Sequence, residues 1–498
     1  MSENNRHSAT TDNDATYDHI VKYTGLFGGV QGISLLINII RNKVTAQFLG
    51  SAGIGLINVY NKTIGLIGQA TNLGISFSAV KHIAELSETT DATQRDTLID
   101  TVRMWSLMTA ALGVLVGTLL APWISWWAFK NYDYTLTFSI ISLIVAMTTI
   151  TAGEIAILKG LKQLKKVAII SIFAALVTLV TCIPFYYCWG IGGVVGALVA
   201  SNAAILGIHL YYTSQVAPWR KSIATFNSIR QGVPMARLGI AYILAGVITQ
   251  GADFFISTFI LNHGSLGEVG LYNTGFLLVT YVGTILFTSI EADFFPRLST
   301  LTNDIKRMNK AINRQIEVCV LLITPCLILE VIAMPLIVRM LYTAQFMQAV
   351  PMATYAIFYL FFKSMTLPVA YLALAKGDSR TFFIAELLYG LFVSITVPLG
   401  FMKYGLPGAG FALSLANLFD LVMIYTFYGA KYGFRLTLQP LKMYVTQLLL
   451  LGGCVYASTI PDLRIRWTLY ILTLASAVLL SLHQLYQKTN LIPQLRRR

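Results

Sequence analysis

Charge is what this sequence has least of. Only 12% of its 498 residues are Asp, Glu, Lys or Arg, about half the roughly 25% of a soluble globular protein. The length alone suggests three soluble domains at roughly 150 residues each, but there is too little charge to coat three such surfaces. Cysteine is sparse as well. Cys182, Cys188, Cys319, Cys326 and Cys454 all lie in apolar stretches and show no metal-ligand spacing, so they read as small buried apolar residues. His209 and His483 stand singly and read as structural. The glycines Gly190, Gly192, Gly193 and Gly196 follow no strand, which argues for close helix packing rather than a phosphate loop. The first 20 residues are polar and lack a signal-peptide core. The first hydrophobic span is therefore expected to act as its own uncleaved insertion signal.

What the chain has in abundance is apolar: 56% of its residues, with a mean hydropathy of +0.67. Windows of about 20 apolar residues, enough to cross a bilayer, recur fourteen times between residues 23 and 486. The expected fold is an all-α polytopic membrane protein of about fourteen transmembrane helices. Lys and Arg sort by side: 27 fall in segments sharing a side with the N-terminus, seven opposite, and Lys62 and Lys363 within spans. That asymmetry places both termini in the cytoplasm and explains the net charge of +14 without nucleic acid. Lys159, Lys162, Lys165 and Lys166, with Arg496, Arg497 and Arg498, are expected to meet anionic lipid headgroups. Trp123, Trp126 and Trp127 are expected to anchor at the far interface. Loops on that side are short, which argues against a membrane glycosyltransferase, polymerase or ligase.

The sequence matches itself at an offset of 215. Gly55-Leu56-Ile57-Asn58 recurs as Gly270-Leu271-Tyr272-Asn273, and Gly190, Gly193, Ala197, Leu198 and Asn202 recur as Gly405, Gly408, Ala412, Leu413 and Asn417. Lys159-Gly160 recurs as Lys376-Gly377, at 217. Six spans separate the copies, so the repeat is parallel. The expected organisation is a tail (1–22), an N-lobe of six helices (23–213), a linker (214–235), a C-lobe of six helices (236–432), two further helices (433–486) and a basic tail (487–498).

Polar stripes run along equivalent spans of the two lobes. Asn58, Asn61, Lys62, Gln69 and Asn72 share one face of span 2, and Asn273, Thr280, Thr284 and Glu291 repeat it on span 8. Span 1 carries Gln31, Asn38 and Arg41, and span 7 places Gln250 and Asp253 opposite Asn38 and Arg41. A stripe at membrane depth faces protein or water. Interhelical hydrogen bonding would explain isolated polar residues; four equivalent stripes suggest an aqueous cavity. Intramembrane charges need a partner or a function. Arg41 and Lys62 are basic, Asp253, Glu291 and Asp293 acidic; Lys363, Glu330 and Asp420 lie mid-span. Two readings stay open: structural pairing, for example Arg41 with Asp253 or Lys363 with Glu330, or contact of the basic residues with an anionic substrate. Glu154, Glu317 and Glu386 lie near helix ends, where they can reach the interface or nearby lysines. Asp293, Arg297 and Lys81 are candidate gate residues.

The segment Leu49-Gly50-Ser51-Ala52-Gly53-Ile54-Gly55-Leu56 resembles the LGxxGxG signature of Wzx-type flippases, relatives of MATE exporters and lipid II flippases in the MOP superfamily. Glu268 to Tyr272 and Pro296 to Ser299 resemble the flanks of that family's span 8, and Lys376 to Glu386 with Gly405 to Ala409 its span 10–12 region. The resemblance covers about residues 20–430. It implies flipping of undecaprenyl-diphosphate-linked oligosaccharide (O-antigen or another surface polysaccharide unit) by alternating access in the bacterial inner membrane, without enzymatic activity. It also implies association with the polymerase and chain-length regulator of such a pathway. In that setting Arg41, Lys62 and Lys363 are the candidates for the diphosphate. Gln31, Asn38, Asn58, Asn61, Gln69, Gln250, Tyr272, Asn273 and Tyr281 are candidates for the sugars. Asp253, Glu291 and Asp293 are candidates for ion coupling or gating, with H⁺ or Na⁺ as coupling ion and no metal or other cofactor. A MATE-like cation/drug antiporter is the alternative, weakened by the basic residues Arg41 and Lys62. An oligomeric structural membrane protein would not need stripes in register.

Overall fold

A computed structural model describes the backbone of residues 4–87, 92–219, 226–302 and 304–488. The side chains before residue 32 (Gln31 included), of Lys81, at 220–242, and at several positions between 285 and 296, Glu291 and Asp293 among them, lie outside the described residues. So do the extreme tails. Every regular element described is helical: α1 (Asn4–Thr71), α2 (Ile75–Ser87), α3 (Ala92–Phe129), α4 (Thr135–Gly160), α5 (Leu164–Trp189), α6 (Val194–Ser214), α7 (Phe226–His263), α8 (Leu266–Ser299), α9 (Ile305–Leu341), α10 (Ala349–Ala375), α11 (Ser379–Tyr432), α12 (Leu438–Thr459) and α13 (Leu463–Lys488). Glycine breaks two of them internally, Gly50 in α1 and Gly405 in α11.

Helix α9 shows why lipid is the solvent. Met308, Ile312, Ile316, Val320, Ile323, Leu327, Val331, Met334 and Val338 recur every three or four residues and are buried, the spacing of one helix face. In a water-soluble protein the opposite face would be polar. Here it carries Leu322, Leu329, Leu336 and Met340, all exposed. Exposed Leu, Ile, Tyr and Met recur likewise on α5, α11 and α13, an apolar surface far beyond the patches of soluble monomers. Among the described residues, eight segments are long and apolar enough to cross a membrane, two of them 51 and 54 residues long, about twice a single span. The protein is a multi-pass all-α membrane protein. Helices α1, α8 and α12 are not among the eight; α1 carries Arg41, Lys43, Asn58, Asn61 and Lys62, and those polar residues lower its hydropathy. The fourteen crossings thus rest on the sequence.

Two compact units form. One comprises Met1–Leu49, Ile64–Trp126 and Asn131–Ile243; the other comprises Gly50–Thr63, Trp127–Lys130 and Leu244–Arg498. In the first, α2, α4, α5 and α6 pack together, and an apolar cluster of Ile75, Ala79, Ile83, Ile99, Val102, Ile157 and Ala217 lies beside a buried ion pair. Arg103 Nε and Nη2 donate to the Glu154 carboxylate at 3.0 and 3.3 Å. The same guanidinium donates to the carbonyls of Ala217 (2.7 Å) and Pro218 (3.2 Å) and lies 4.8 Å from the Trp219 ring centre. The start of the segment after α6 is thereby fixed to α3 and α4. Glu154 is consumed in this pair rather than reaching the interface or the lysines expected from its position.

In the second unit α10 packs on α8, α9 and α11, and α12 and α13 pack on α9. The repeated Gly-Leu-x-Asn segments meet there. A Cβ on Gly55 would lie 1.9 Å from the Leu266 carbonyl oxygen, and one on Gly270 would lie 2.0 Å from that of Ser51. The two glycines let the start of α8 and the 50–63 part of α1 touch backbone to backbone. Trp127 turns inward onto Phe254, with ring centres 5.6 Å apart, and its carbonyl accepts from Asn262 at 2.9 Å.

Candidate functional site

The charges that lipid would penalise most converge in the second unit. Helices α7, α8, α10 and α11 surround a cavity of about 420 Å³ whose lining includes Asp253, Tyr272, Tyr359, Lys363, Tyr389 and Asp420. Glu386, Asn417 and Tyr371 also line it. Lys363 and Tyr359, one turn apart on α10, meet there: Lys363 Nζ donates to the Tyr359 hydroxyl at 3.2 Å. Asn417 Nδ2 donates to the Tyr389 hydroxyl at 3.0 Å and to its own Leu413 carbonyl at 3.2 Å. Phe276 braces Tyr359 edge-on, ring centres 5.4 Å apart. Glu386 and Asp420 are partly buried and form no ion pair among the described residues.

At the cavity wall Asp253 pairs with Lys62. The partner of Asp253 is therefore Lys62, not Arg41, the pairing considered from the stripes. The side chains are 22% and 36% exposed. That pair is open to the cavity that Asp253 lines, whereas the Arg103–Glu154 pair at 1% and 2% exposure falls in the class whose disruption costs about 3–5 kcal/mol. The first can exchange partners; the second holds structure.

The sequence candidates separate as follows. Lys62, Asp253, Lys363 and Tyr272 come together at the cavity. Asn58 and Asn273 each turn back onto the carbonyl four residues earlier, Ile54 and Val269, both at 2.9 Å; they support the Gly55–Gly270 crossing. Arg41, Asn38 and Gln69 are half-buried in the first unit, with Arg41 Nη2 3.4 Å from the Asn42 side-chain oxygen. Asn61 is exposed and Gln250 half-buried, and neither lines the cavity. Tyr281 lines a separate apolar groove of about 470 Å³ between α8 and α9. Glu330 lies in that groove too, buried, its Oε2 without a hydrogen-bond partner; it is not the partner of Lys363. Tyr359, Tyr389, Asn417, Glu386 and Asp420 complete the site and were not among the site candidates in the sequence; Glu386, expected to reach the interface or nearby lysines, lines the cavity. The signal for them was present in part: Asp420 is a mid-span charge three residues from Asn417, itself a repeat position.

The family described as polysaccharide biosynthesis protein matches residues 44–351, more than half of the chain. The chain belongs to the polysaccharide biosynthesis protein family. Its fold is shared with solved transporters. The lipid II flippase MurJ in an inward closed conformation is 15% identical, with a TM-score of 0.64 over 93% of this chain and 99% of that one. An inward-facing multidrug resistance MATE family transporter of the MOP superfamily is 11% identical, with a TM-score of 0.64 over 80% and 94%. A MOP superfamily transporter from Pyrococcus furiosus, described by the reverse polarity of its binding pocket, is 12% identical, with a TM-score of 0.59 over 83% and 95%. No curated protein matches in sequence. The chain thus combines membership in this family with a MATE/MurJ-like fold. The matched segment 44–351 includes Lys62, Asp253 and Tyr272 but ends before Lys363, Glu386 and Asp420.

Proposed function

We propose that this protein carries a lipid-linked oligosaccharide, joined through a diphosphate to a polyprenyl chain, from the cytoplasmic to the periplasmic leaflet of the bacterial inner membrane by alternating access. Both termini are cytoplasmic in this reading. The observation that carries it is the Lys62–Asp253 pair at the wall of a tyrosine-lined cavity that also holds Lys363, Glu386 and Asp420, in a family of polysaccharide biosynthesis. The MurJ likeness also spans more of the chain than the MATE likeness.

A diphosphate brings charge-assisted hydrogen bonds stronger than neutral ones and competes with Asp253 for the Lys62 ammonium. Arg41 is a second cation for the headgroup. Displacement leaves the Asp253 carboxylate without its counter-ion, so it takes up H⁺ or Na⁺. Two differently charged states of one site bias the conformations unequally, and this links ion movement to lipid movement. The polyprenyl tail stays in the bilayer. One observation favours cation antiport as a second reading: Glu386 and Asp420 outnumber Lys363 in the cavity.

The test is transport of a fluorescent lipid-linked oligosaccharide in proteoliposomes. Lys62→Ala and Arg41→Ala should bring flipping to background with membrane insertion intact, and Asp253→Asn should flip without dependence on the ion gradient. Normal flipping by both cation variants removes the headgroup assignment. An unchanged ion profile in Asp253→Asn removes the coupling role. Export of organic cations in place of lipid would establish the second reading.

A further inference from the structure

We infer that the cavity among α7, α8, α10 and α11 is a sugar subsite that receives the ring attached directly to the diphosphate. The inference rests on the flippase reading and adds which part of the substrate is recognised, and by which residues.

Position comes first. Asp253 both lines the cavity and holds Lys62. A diphosphate that replaces Asp253 on Lys62 therefore sits at the cavity wall, and the next covalent unit of the substrate enters the cavity. Size agrees, since about 420 Å³ lies in the range of small-molecule sites, about 300–1,000 Å³, and such sites combine aromatic walls with a few placed polar groups. Tyr272, Tyr359 and Tyr389 are in its lining, aromatic rings of the kind against which the C–H surface of a pyranose packs. The polar groups are complementary to hydroxyls. Glu386 and Asp420 are acceptors without a donor among the described residues, and Lys363 is a donor with only the Tyr359 hydroxyl as hydrogen-bond partner. A sugar ring supplies several hydroxyls that donate to the carboxylates and accept from the ammonium. A bare cation fits less well: among the described residues no three carboxylate, thiol or imidazole side chains gather as ligands, and a desolvated cation demands a tight shell of oxygens.

The full chain in detergent is titrated calorimetrically with farnesyl diphosphate and with farnesyl diphosphate carrying one hexose. The hexose should tighten binding about tenfold or more, the worth of one or two hydrogen bonds to charged groups. Glu386→Gln, Asp420→Asn and Tyr359→Phe, checked for an unchanged unfolding midpoint, should lose most of that gain, read in each variant as the ratio of its affinities for the two probes. Equal binding of both probes by the parent overturns the sugar subsite and leaves the flippase reading standing. Binding of neither probe overturns both. A sugar gain that survives all three substitutions, with Na⁺ or pH dependence altered instead, makes the cavity an ion site and overturns the inference.

Discussion

Asp378, in the turn between α10 and α11, is gripped from several sides. Its Oδ2 accepts from Lys431 Nζ at 2.5 Å, the Tyr432 hydroxyl at 2.7 Å and the Thr381 hydroxyl at 2.9 Å, and its Oδ1 caps α11 by accepting from the Thr381 amide at 3.1 Å. The Lys431 hydrogen bond, then that from Tyr432, holds the carboxyl well below its ordinary value of 3.8. A carboxylate depressed on folding contributes stability that is complete above its unfolded pKa and disappears as pH falls through its folded one. Asp378→Asn keeps the cap, since Asn caps about as well as Asp, and removes the charge. Its unfolding midpoint should therefore lie below the parent's at pH 7, and the gap should close as pH falls below 4. A gap that stays constant with pH would show the contribution to be uncharged. At this scale the sequence was least legible. Stripes identify which residues cannot face lipid, but not which will meet. Lys62 sits 191 positions from Asp253, and Arg103 is 51 from Glu154. Such distances are closed by tertiary packing, which helical periodicity does not encode.

At the scale of elements the repeat is carried by backbone conformation as well as by residue type. Gly190 and Gly405, 215 apart, both adopt positive φ (54° and 63°) and end one helix before the next begins. The C-terminus of α4 repeats in that of α10. Gln163 N bonds the Leu158 carbonyl at 2.9 Å, and Asp378 N bonds that of Ala373, also at 2.9 Å. The left-handed residues, Lys162 (φ 56°) and Gly377 (φ 68°), again lie 215 apart. Matching Lys159-Gly160 to Lys376-Gly377 by letters gave 217, two residues out of step, because a left-handed position that favours glycine is filled by lysine in the first copy. Two glycines separate strain from packing. Gly405 has ψ −148°, a region nearly confined to glycine, yet a Cβ there meets nothing within 4 Å. Gly405→Ala should cost about 1–3 kcal/mol, from backbone strain alone. Gly55 is helical, but its Cβ would overlap the Leu266 carbonyl, so Gly55→Ala must push two backbones apart and should cost more than the about 1–3 kcal/mol of ordinary overpacking. Thermal unfolding in one detergent ranks them. If Gly55→Ala is the milder change, the backbone contact between α1 and α8 does not carry the second unit.

Over the whole molecule, the all-α membrane fold was legible because it depends on sums: apolar content, low charge and window length survive local error. The number of crossings is less secure for the same reason, since the polar stripes that mark function also lower the hydropathy of the helices that bear them. Helix α12 decides the matter. It spans 22 residues (Leu438–Thr459), about 33 Å at 1.5 Å per residue, enough for the hydrocarbon layer, and it is packed on α9, yet it is not among the eight segments apolar enough to cross by composition. Charge scarcely separates the alternatives. If α12 did not cross, Arg464 and Arg466 would move to the cytoplasmic side and the four basic residues from Lys488 onward to the far side, turning a 27-to-7 split into 25-to-9. Length favours crossing: the 22 residues of α12 suffice to span the hydrocarbon layer, and α13 then returns the chain to the cytoplasmic side. Truncated fusions distinguish the two. A fluorescent protein joined after Gly433 should glow and alkaline phosphatase there should be inactive. The same reporters joined after Pro461 should give the reverse, and after Lys488 the first pattern again. The same pattern at Gly433 and Pro461 would mean that α12 does not cross, reducing the count to thirteen and moving the basic end of the chain to the far side.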